Sequence, residues 1–157
     1  MVFHMDNSPW YDEVVLPALL RHARTTYGKA MRAALDEAGF DDIPGNGLYI
    51  IGGLAIENRD VPLRKLVREL GITKQGAGQL VDALVMRGYL SRAVDETDRR
   101  QLIVTLTDRG RAAAKVQGEV RERIDAELLE RVGADDVKAA KRTLGALIDM
   151  RREEAEA

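Results

Sequence analysis

The 157-residue chain contains no cysteine. That excludes a disulfide framework, a zinc ribbon, a cysteine nucleophile and a thiol redox switch. Histidine is scarce too. His4 and His22 are the only two, and a transition-metal sensor needs several clustered imidazole or thiolate ligands. No metal site is expected. Aromatic residues make up 4% of the chain, so a site for an aromatic ligand has few rings to draw on. Long apolar runs are missing. The longest stretch, around Leu48 to Ile56, is interrupted by Gly52 and Gly53, and falls far short of the roughly 18 residues of a membrane-spanning helix. The stretch from Met1 to Pro9 has no charged segment followed by a long apolar one, so no signal peptide is read there and a cytoplasmic location is expected. A phosphate-binding glycine loop is also missing. Gly76-x-Gly78 lacks a third glycine and follows no strand. The paired acids Asp41-Asp42 and Asp135-Asp136 stand at expected helix starts, where capping accounts for them. No catalytic constellation remains, and neither enzyme activity nor a cofactor is expected.

What is present describes a folded chain. Apolar residues make up 45% and charged residues 32%, a balance that excludes wholesale disorder. The length fits one domain, which buries roughly 70% of its unfolded surface. The net charge of −2 argues against a uniformly basic coat but not against a basic patch. From Arg59 to Arg111 the chain carries 11 Lys and Arg against 7 Asp and Glu, a net +4, and the remainder carries 13 against 19, a net −6. A basic middle lies between acidic flanks.

Periodicity sets the elements. Val15, Leu19, Ala23, Tyr27, Ala30, Met31, Ala34 and Leu35 recur at three- and four-residue steps and predict a helix from about Asp12 to Ala38. Either Ser8-Pro9 opens it and Pro17 kinks it, or it starts close to Pro17. Gly39 closes it. A second helix is expected from Gly45 to Asn58. Its Gly52-Gly53 pair costs roughly 1 kcal/mol per glycine against Ala. Close approach of another helix is the commoner reason for such a pair, and room for a ligand is the other. A short helix from Leu63 to Leu70 follows Pro62, and Gly71-Ile72 makes a tight turn. Thr73 stands in the N-cap place of a helix from Lys74 to Arg87, which Gly88 ends. The period then changes to that of strands. Tyr89 to Val94 and Gln101 to Leu106 read as a hairpin around the polar tip from Asp95 to Arg100. Thr107 caps a long helix to about Val132. Gly133-Ala134 breaks it, and Asp135 or Asp136 caps a last helix carrying Val137, Ala140, Leu144, Leu147 and Ile148. The first and last helices have no evident intramolecular core of their own.

Helix, glycine-containing turn, helix and hairpin in that order make a mainly α fold, a helix-turn-helix with a β-hairpin wing. In such a unit the N-terminal residues of the second helix reach base edges. Here they are Thr73, Lys74, Gln75, Gly76, Gly78 and Gln79. Gln pairs with adenine and Lys with guanine or phosphate. Arg64 and Lys65, at the start of the supporting helix, are expected on phosphates. An arginine at a wing tip suits a narrow minor groove, and a neighbouring Asp can hold a second arginine by a charge-assisted hydrogen bond.

Asp95-x-x-Asp98-Arg99-Arg100-x-x-x-Val104-x-Leu106-Thr107-x-x-Gly110 resembles the wing signature of the multiple-antibiotic-resistance regulator (MarR) family. The stretch from Leu70 to Leu90 is similar to that family's turn and recognition helix, with glycine at 76 and 78 where relatives usually carry Ala or Ser. The resemblance implies one domain over residues 1–157. Its winged lobe spans 44–107, and its dimerisation helices span 8–40 and 108–157. It implies a homodimeric regulator that represses transcription from a pseudo-palindromic operator on double-stranded DNA. Arg99 would be the minor-groove arginine and Arg100 its Asp-braced neighbour. It also implies a small aromatic or amphipathic effector, for which Trp10, Tyr11, His22, Tyr27 and Tyr49 are the candidates. The alternative is a winged-helix module that binds protein and not DNA, and salt-dependent binding to duplex DNA separates the two.

Overall fold

The computed structural model describes residues 8–57, 60–71 and 73–156. His4, the expected helix end at Asn58 and Ile72 of the expected turn lie outside the described residues. The chain divides into two compact units, one up to Val120 and one from Arg121 onward.

The first unit opens with a single 3-10 turn, Trp10–Glu13. Helix α1 follows, Leu16–Glu37, with Pro17 in its first turn. Of the two sequence readings, the start near Pro17 is the one observed, because proline lacks only a donor that the first turn leaves unused. Ser8-Pro9 opens no more than the 3-10 turn. The end of α1 does find a core within the unit, contrary to expectation: Met31 and Leu35 are buried. Arg32 donates to the carbonyls of Ile43 at 2.7 Å and Gly45 at 2.6 Å, tying α1 to the next loop. Helix α2 is Gly47–Glu57 and buries Leu48, Ile50, Ile51 and Leu54.

Strand β1, Val61–Pro62, precedes α3, Leu63–Leu70. Helix α4, Lys74–Met86, buries Ala77, Val81 and Leu84 at steps of four and three. Thr73 caps it as expected, its Oγ1 accepting from Gly76 N at 3.0 Å. Gly71 and Gly88 close the two helices at φ of 62° and 79°, a region where glycine bears no Cβ penalty. Strands β2, Leu90–Val94, and β3, Leu102–Leu106, form the hairpin.

The sheet has an order that the sequence did not suggest. Strand β3 is central, with β1 on one side and β2 on the other, both antiparallel. Val104 faces Val61 across one ladder and Arg92 across the other. Two residues including a proline give no alternation to read, so β1 is a tertiary feature. Its Val61 and the central Val104 are both fully buried. Each such side chain stabilises the fold by about 1.5–3 kcal/mol relative to exposure.

Helix α5, Asp108–Val132, starts in this unit and buries Ala113, Gln117 and Val120 there. Gln117 Nε2 donates to the Leu48 carbonyl at 2.8 Å and fills the space at Gly52, where a Cβ would press into it. Close approach therefore accounts for Gly52, by a side chain of α5. Gly53 faces open space instead.

The second unit contains the rest of α5 and α6, Ala134–Glu156. Gly133, at φ 84°, separates them. The last helix begins at Ala134, two residues earlier than a cap at Asp135 requires and three earlier than one at Asp136. Asp135 and Asp136 lie inside its first turn, where their charge favours the helix N-terminus without capping it. Leu128, Leu129, Val132, Leu144, Leu147 and Ile148 are exposed in this unit.

Candidate nucleic-acid interface

The helix-turn-helix and the wing present their polar residues outward. Lys74, Gln75 and Gln79 are exposed on α4. Thr73 accepts from Gly76 N, which leaves its O–H to donate outward. A Cβ on Gly78 would meet nothing within 4 Å, so the helix is narrow there. On α3, Arg64 is exposed, but Lys65 turns the other way. It is ion-paired with Glu57 and lies 3.7 Å from Glu69. Its ammonium is committed to those carboxylates, a detail that spacing alone does not give. Arg64, Lys74 and Arg100 converge on one groove between α3, α4 and the wing. Leu63, Val67 and Leu102 are also in its wall, with Asp98 at the side.

The wing tip is built by its acids. Asp95 Oδ1 accepts from Thr97 N at 2.8 Å and Thr97 Oγ1 at 2.7 Å. Asp98 accepts from Arg100 N at 3.1 Å and from Gln101 Nε2 at 2.9 Å. Asp95 N donates to Gln101 O at 3.0 Å and Gln101 N to Asp98 O at 2.9 Å, closing the loop. Both carboxyls are held below the usual carboxylate value, Asp95 chiefly by the Thr97 hydroxyl and Asp98 chiefly by the Gln101 amide. Asp95 and Asp98 are thus occupied by the tip's own donors, and Glu96, Arg99 and Arg100 are exposed. The expected Asp brace on the Arg100 side chain is corrected: Asp98 holds the Arg100 backbone N–H. A carboxylate two residues before an amide closes a turn readily.

The base of the wing is fastened by contacts no local pattern signals. Thr107 N donates to the Tyr89 carbonyl at 3.1 Å, and Thr107 Oγ1 donates to Gly88 O while accepting from Gly110 N at 3.1 Å. A Cβ on Gly110 would collide with the Tyr89 carbonyl, which gives the signature glycine a steric reason. Tyr89 donates its hydroxyl to Asp42, and Arg109 reaches both, at 3.0 Å to Tyr89 and 3.1 Å to Asp42. Burial and that hydrogen bond push the Tyr89 pKa up to about 12. Asp42 is lowered, first by the Tyr89 hydroxyl and then by Arg109. These three residues lie far apart in sequence, beyond the reach of any periodicity.

The five aromatic and imidazole candidates are not shown gathered in one place. Trp10 and Tyr11 pack edge to face, centroids 5.6 Å apart, and both are exposed. His22 is exposed on α1, and Tyr27 is half-buried. Tyr49 lies beneath the Arg24 guanidinium, 4.2 Å from the ring centroid. It also lines a cleft with Thr25, Lys29 and Arg32. Among the described residues no cluster of three or more His, Cys, Asp or Glu could hold a metal ion, and no helix is long and apolar enough to cross a membrane.

The MarR family model matches residues 42–101, from Asp42 through the wing tip. An uncharacterised HTH-type transcriptional regulator of Bacillus subtilis, YwhA, is 27% identical over 120 residues, 76% of this chain and 86% of that one. Over residues 42–101 the chain is similar to the MarR family. Solved structures share its fold at low identity. A MepR mutant from a multidrug-resistant S. aureus clinical isolate has a TM-score of 0.69 at 16% identity, over 88% of this chain and 98% of that one. FabT of Streptococcus pneumoniae, solved in complex with DNA, has a TM-score of 0.69 at 17% identity, over 87% and 97% of the two chains. The mainly helical MarR fold with its winged helix-turn-helix is thus established, and family and relatives are transcriptional regulators, not enzymes.

Proposed function

We propose that this chain is a MarR-type regulator, a homodimer that binds double-stranded DNA at a pseudo-palindromic operator and represses transcription by occupying it. One observation carries the reading. An exposed, capped helix start bearing Lys74, Gln75 and Gln79 stands beside a wing whose Asp95 and Asp98 are turned onto the tip's own donors and whose Arg99 and Arg100 face outward. A bare acidic tip would repel phosphates, and here two of its three acids, Asp95 and Asp98, are engaged by the tip's own donors beside two exposed arginines. The DNA complex of the FabT fold relative supports the same reading. Thr73, Lys74, Gln75, Gly78 and Gln79 then face the major groove, Arg99 the minor groove, and Arg64 and Arg100 flanking phosphates. Lys65, held by Glu57, takes a lesser part.

We assign the winged lobe to residues 44–107 and dimerisation to the helices in 8–40 and 108–157. The exposed leucines and isoleucine of α6 support this, because a row of them at helical spacing is stabilised by a matching apolar face. A cytoplasmic location follows from the DNA reading. An effector, where one exists, is assigned to the Tyr49 cleft, where Lys29 and Arg32 suit an anionic or amphipathic molecule.

The test is duplex binding against salt concentration. A DNA-binding dimer loses affinity steeply, with a log–log slope of about −0.9 per phosphate contacted. Absence of salt-dependent duplex binding would return the chain to the protein-interaction reading.

A further inference from the structure

The outward stripe of α4 contains a negative charge that the DNA reading does not explain. Gln75, Gln79, Asp82 and Met86 follow one another at steps of four, three and four. They lie opposite the buried Ala77, Val81 and Leu84, on a single line along the helix. Met86 at its far end is 88% exposed, so nothing among the described residues covers the line there. Asp82 is the one ionisable residue of the four. In a groove walled by phosphates, an isolated carboxylate on that line is repelled from both sides. It is not isolated. Arg92, on β2, is ion-paired and hydrogen-bonded to Asp82. Strand β2 otherwise turns Ser91, Ala93 and Val94 outward, so Arg92 is its only cation.

Resting on the DNA reading above, we infer that Arg92 is a positioning residue that masks the Asp82 carboxylate on the reading face of α4 and so makes that face acceptable to DNA. The pair's worth to folding is small, because both side chains are about half exposed, at 46% and 53%, and exposed ion pairs contribute little stability. Its role is electrostatic. With Arg92 in place the centre of the stripe is neutral, and Gln75 and Gln79 can approach base edges. Without it, the same surface carries a full negative charge between two glutamines. The pair also explains how α4 tolerates an acid where a reading helix needs none, although the chain as a whole is acidic.

The test measures affinity against salt for the full chain on a mixed-sequence duplex about 30 base pairs long, enough for two half-sites, with helicity recorded for every variant. Arg92→Ala is expected to weaken binding about tenfold at unchanged helicity. Asp82→Asn is expected to strengthen it severalfold and to steepen the salt slope by about one contact, because the freed Arg92 reaches a phosphate. The double variant is expected to bind close to the wild-type level. If Arg92→Ala loses helicity, Arg92→Gln replaces it under the same expectations. Three results overturn the inference while leaving DNA binding intact. Asp82→Asn as weak as Arg92→Ala makes the pair a mechanical strut. A double variant as weak as Arg92→Ala makes Arg92 a direct DNA contact. Unchanged affinity in all variants makes the pair an ordinary surface ion pair. A wild-type chain that binds no duplex overturns the DNA reading and this inference together.

Discussion

Single side chains carry the sharpest expectations. Arg99 stands exposed on a tip that is held by Asp95 and Asp98 and not by arginine. Arg99→Ala should therefore weaken operator binding by about 1–3 kcal/mol with unchanged helicity, read by titrating duplex and recording circular dichroism together. Gly110 behaves oppositely. It touches no proposed ligand, and a Cβ there meets the Tyr89 carbonyl and a Leu106 methyl. Gly110→Ala should lower stability by about 1–3 kcal/mol, seen as a lower urea midpoint. The tip's own acids give a pH expectation. Asp95 and Asp98 are held below their ordinary 3.8 in the folded chain. The order they lend is therefore complete above that value and is lost as pH falls through their lowered values. Amide resonances of Thr97 and Arg100 followed by NMR should stay constant from pH 7 to about pH 5 and move only in stronger acid. Movement near neutral pH would place the cause elsewhere.

Among the elements, what the sequence disclosed follows the range of the interaction. The short helix Leu63–Leu70, the Thr73 cap and the hairpin are local patterns, and all three are read from spacing and turn residues. Strand β1 is not, since Val61-Pro62 becomes a strand only because Val104 lies beside it. The same limit applies within the candidate interface. Arg64 and Lys65 are equivalent by position, but Glu57 reaches back to Lys65 and leaves Arg64 exposed. Arg64→Ala should thus weaken binding to all duplexes alike by more than Lys65→Ala does. Gln75→Ala and Gln79→Ala should instead narrow the gap between operator and random DNA. Competition binding decides it, and equal losses from all four variants would mean that α4 does not read bases. Asp135 taught a smaller lesson. An acid near a helix start is favourable both as a cap and one turn in, and only the backbone distinguishes the two.

For the molecule as a whole, the dimer reading makes a geometric demand. Two reading helices related by a two-fold axis meet successive major grooves roughly 34 Å apart, about 10 base pairs. Inserting about 5 base pairs at the operator centre turns one half-site to the far side of the duplex. Affinity should then fall towards that for random DNA. Removing the chain from Asp135 onward deletes Leu144, Leu147 and Ile148, so the shortened protein should sediment as a monomer and lose specific binding. A monomer that still held the operator at full strength would refute the demand.

The place of β3 also determines how little of the chain can stand alone. The stretch that matches the family model stops at Gln101, one residue before the strand to which both β1 and β2 are hydrogen-bonded. A fragment cut at that boundary would retain two edge strands with nothing between them. It would also lose the Thr107 and Arg109 contacts that fasten Gly88, Tyr89 and Asp42. Expressed by itself it should be soluble only with difficulty and poorly protected against proteolysis. A fragment prolonged through Val120, and begun early enough to include Met31 and Leu35, retains the buried side chains of the first unit. The border of the family-model match and the expected border of independent folding therefore differ, and a domain excised for study belongs at the second.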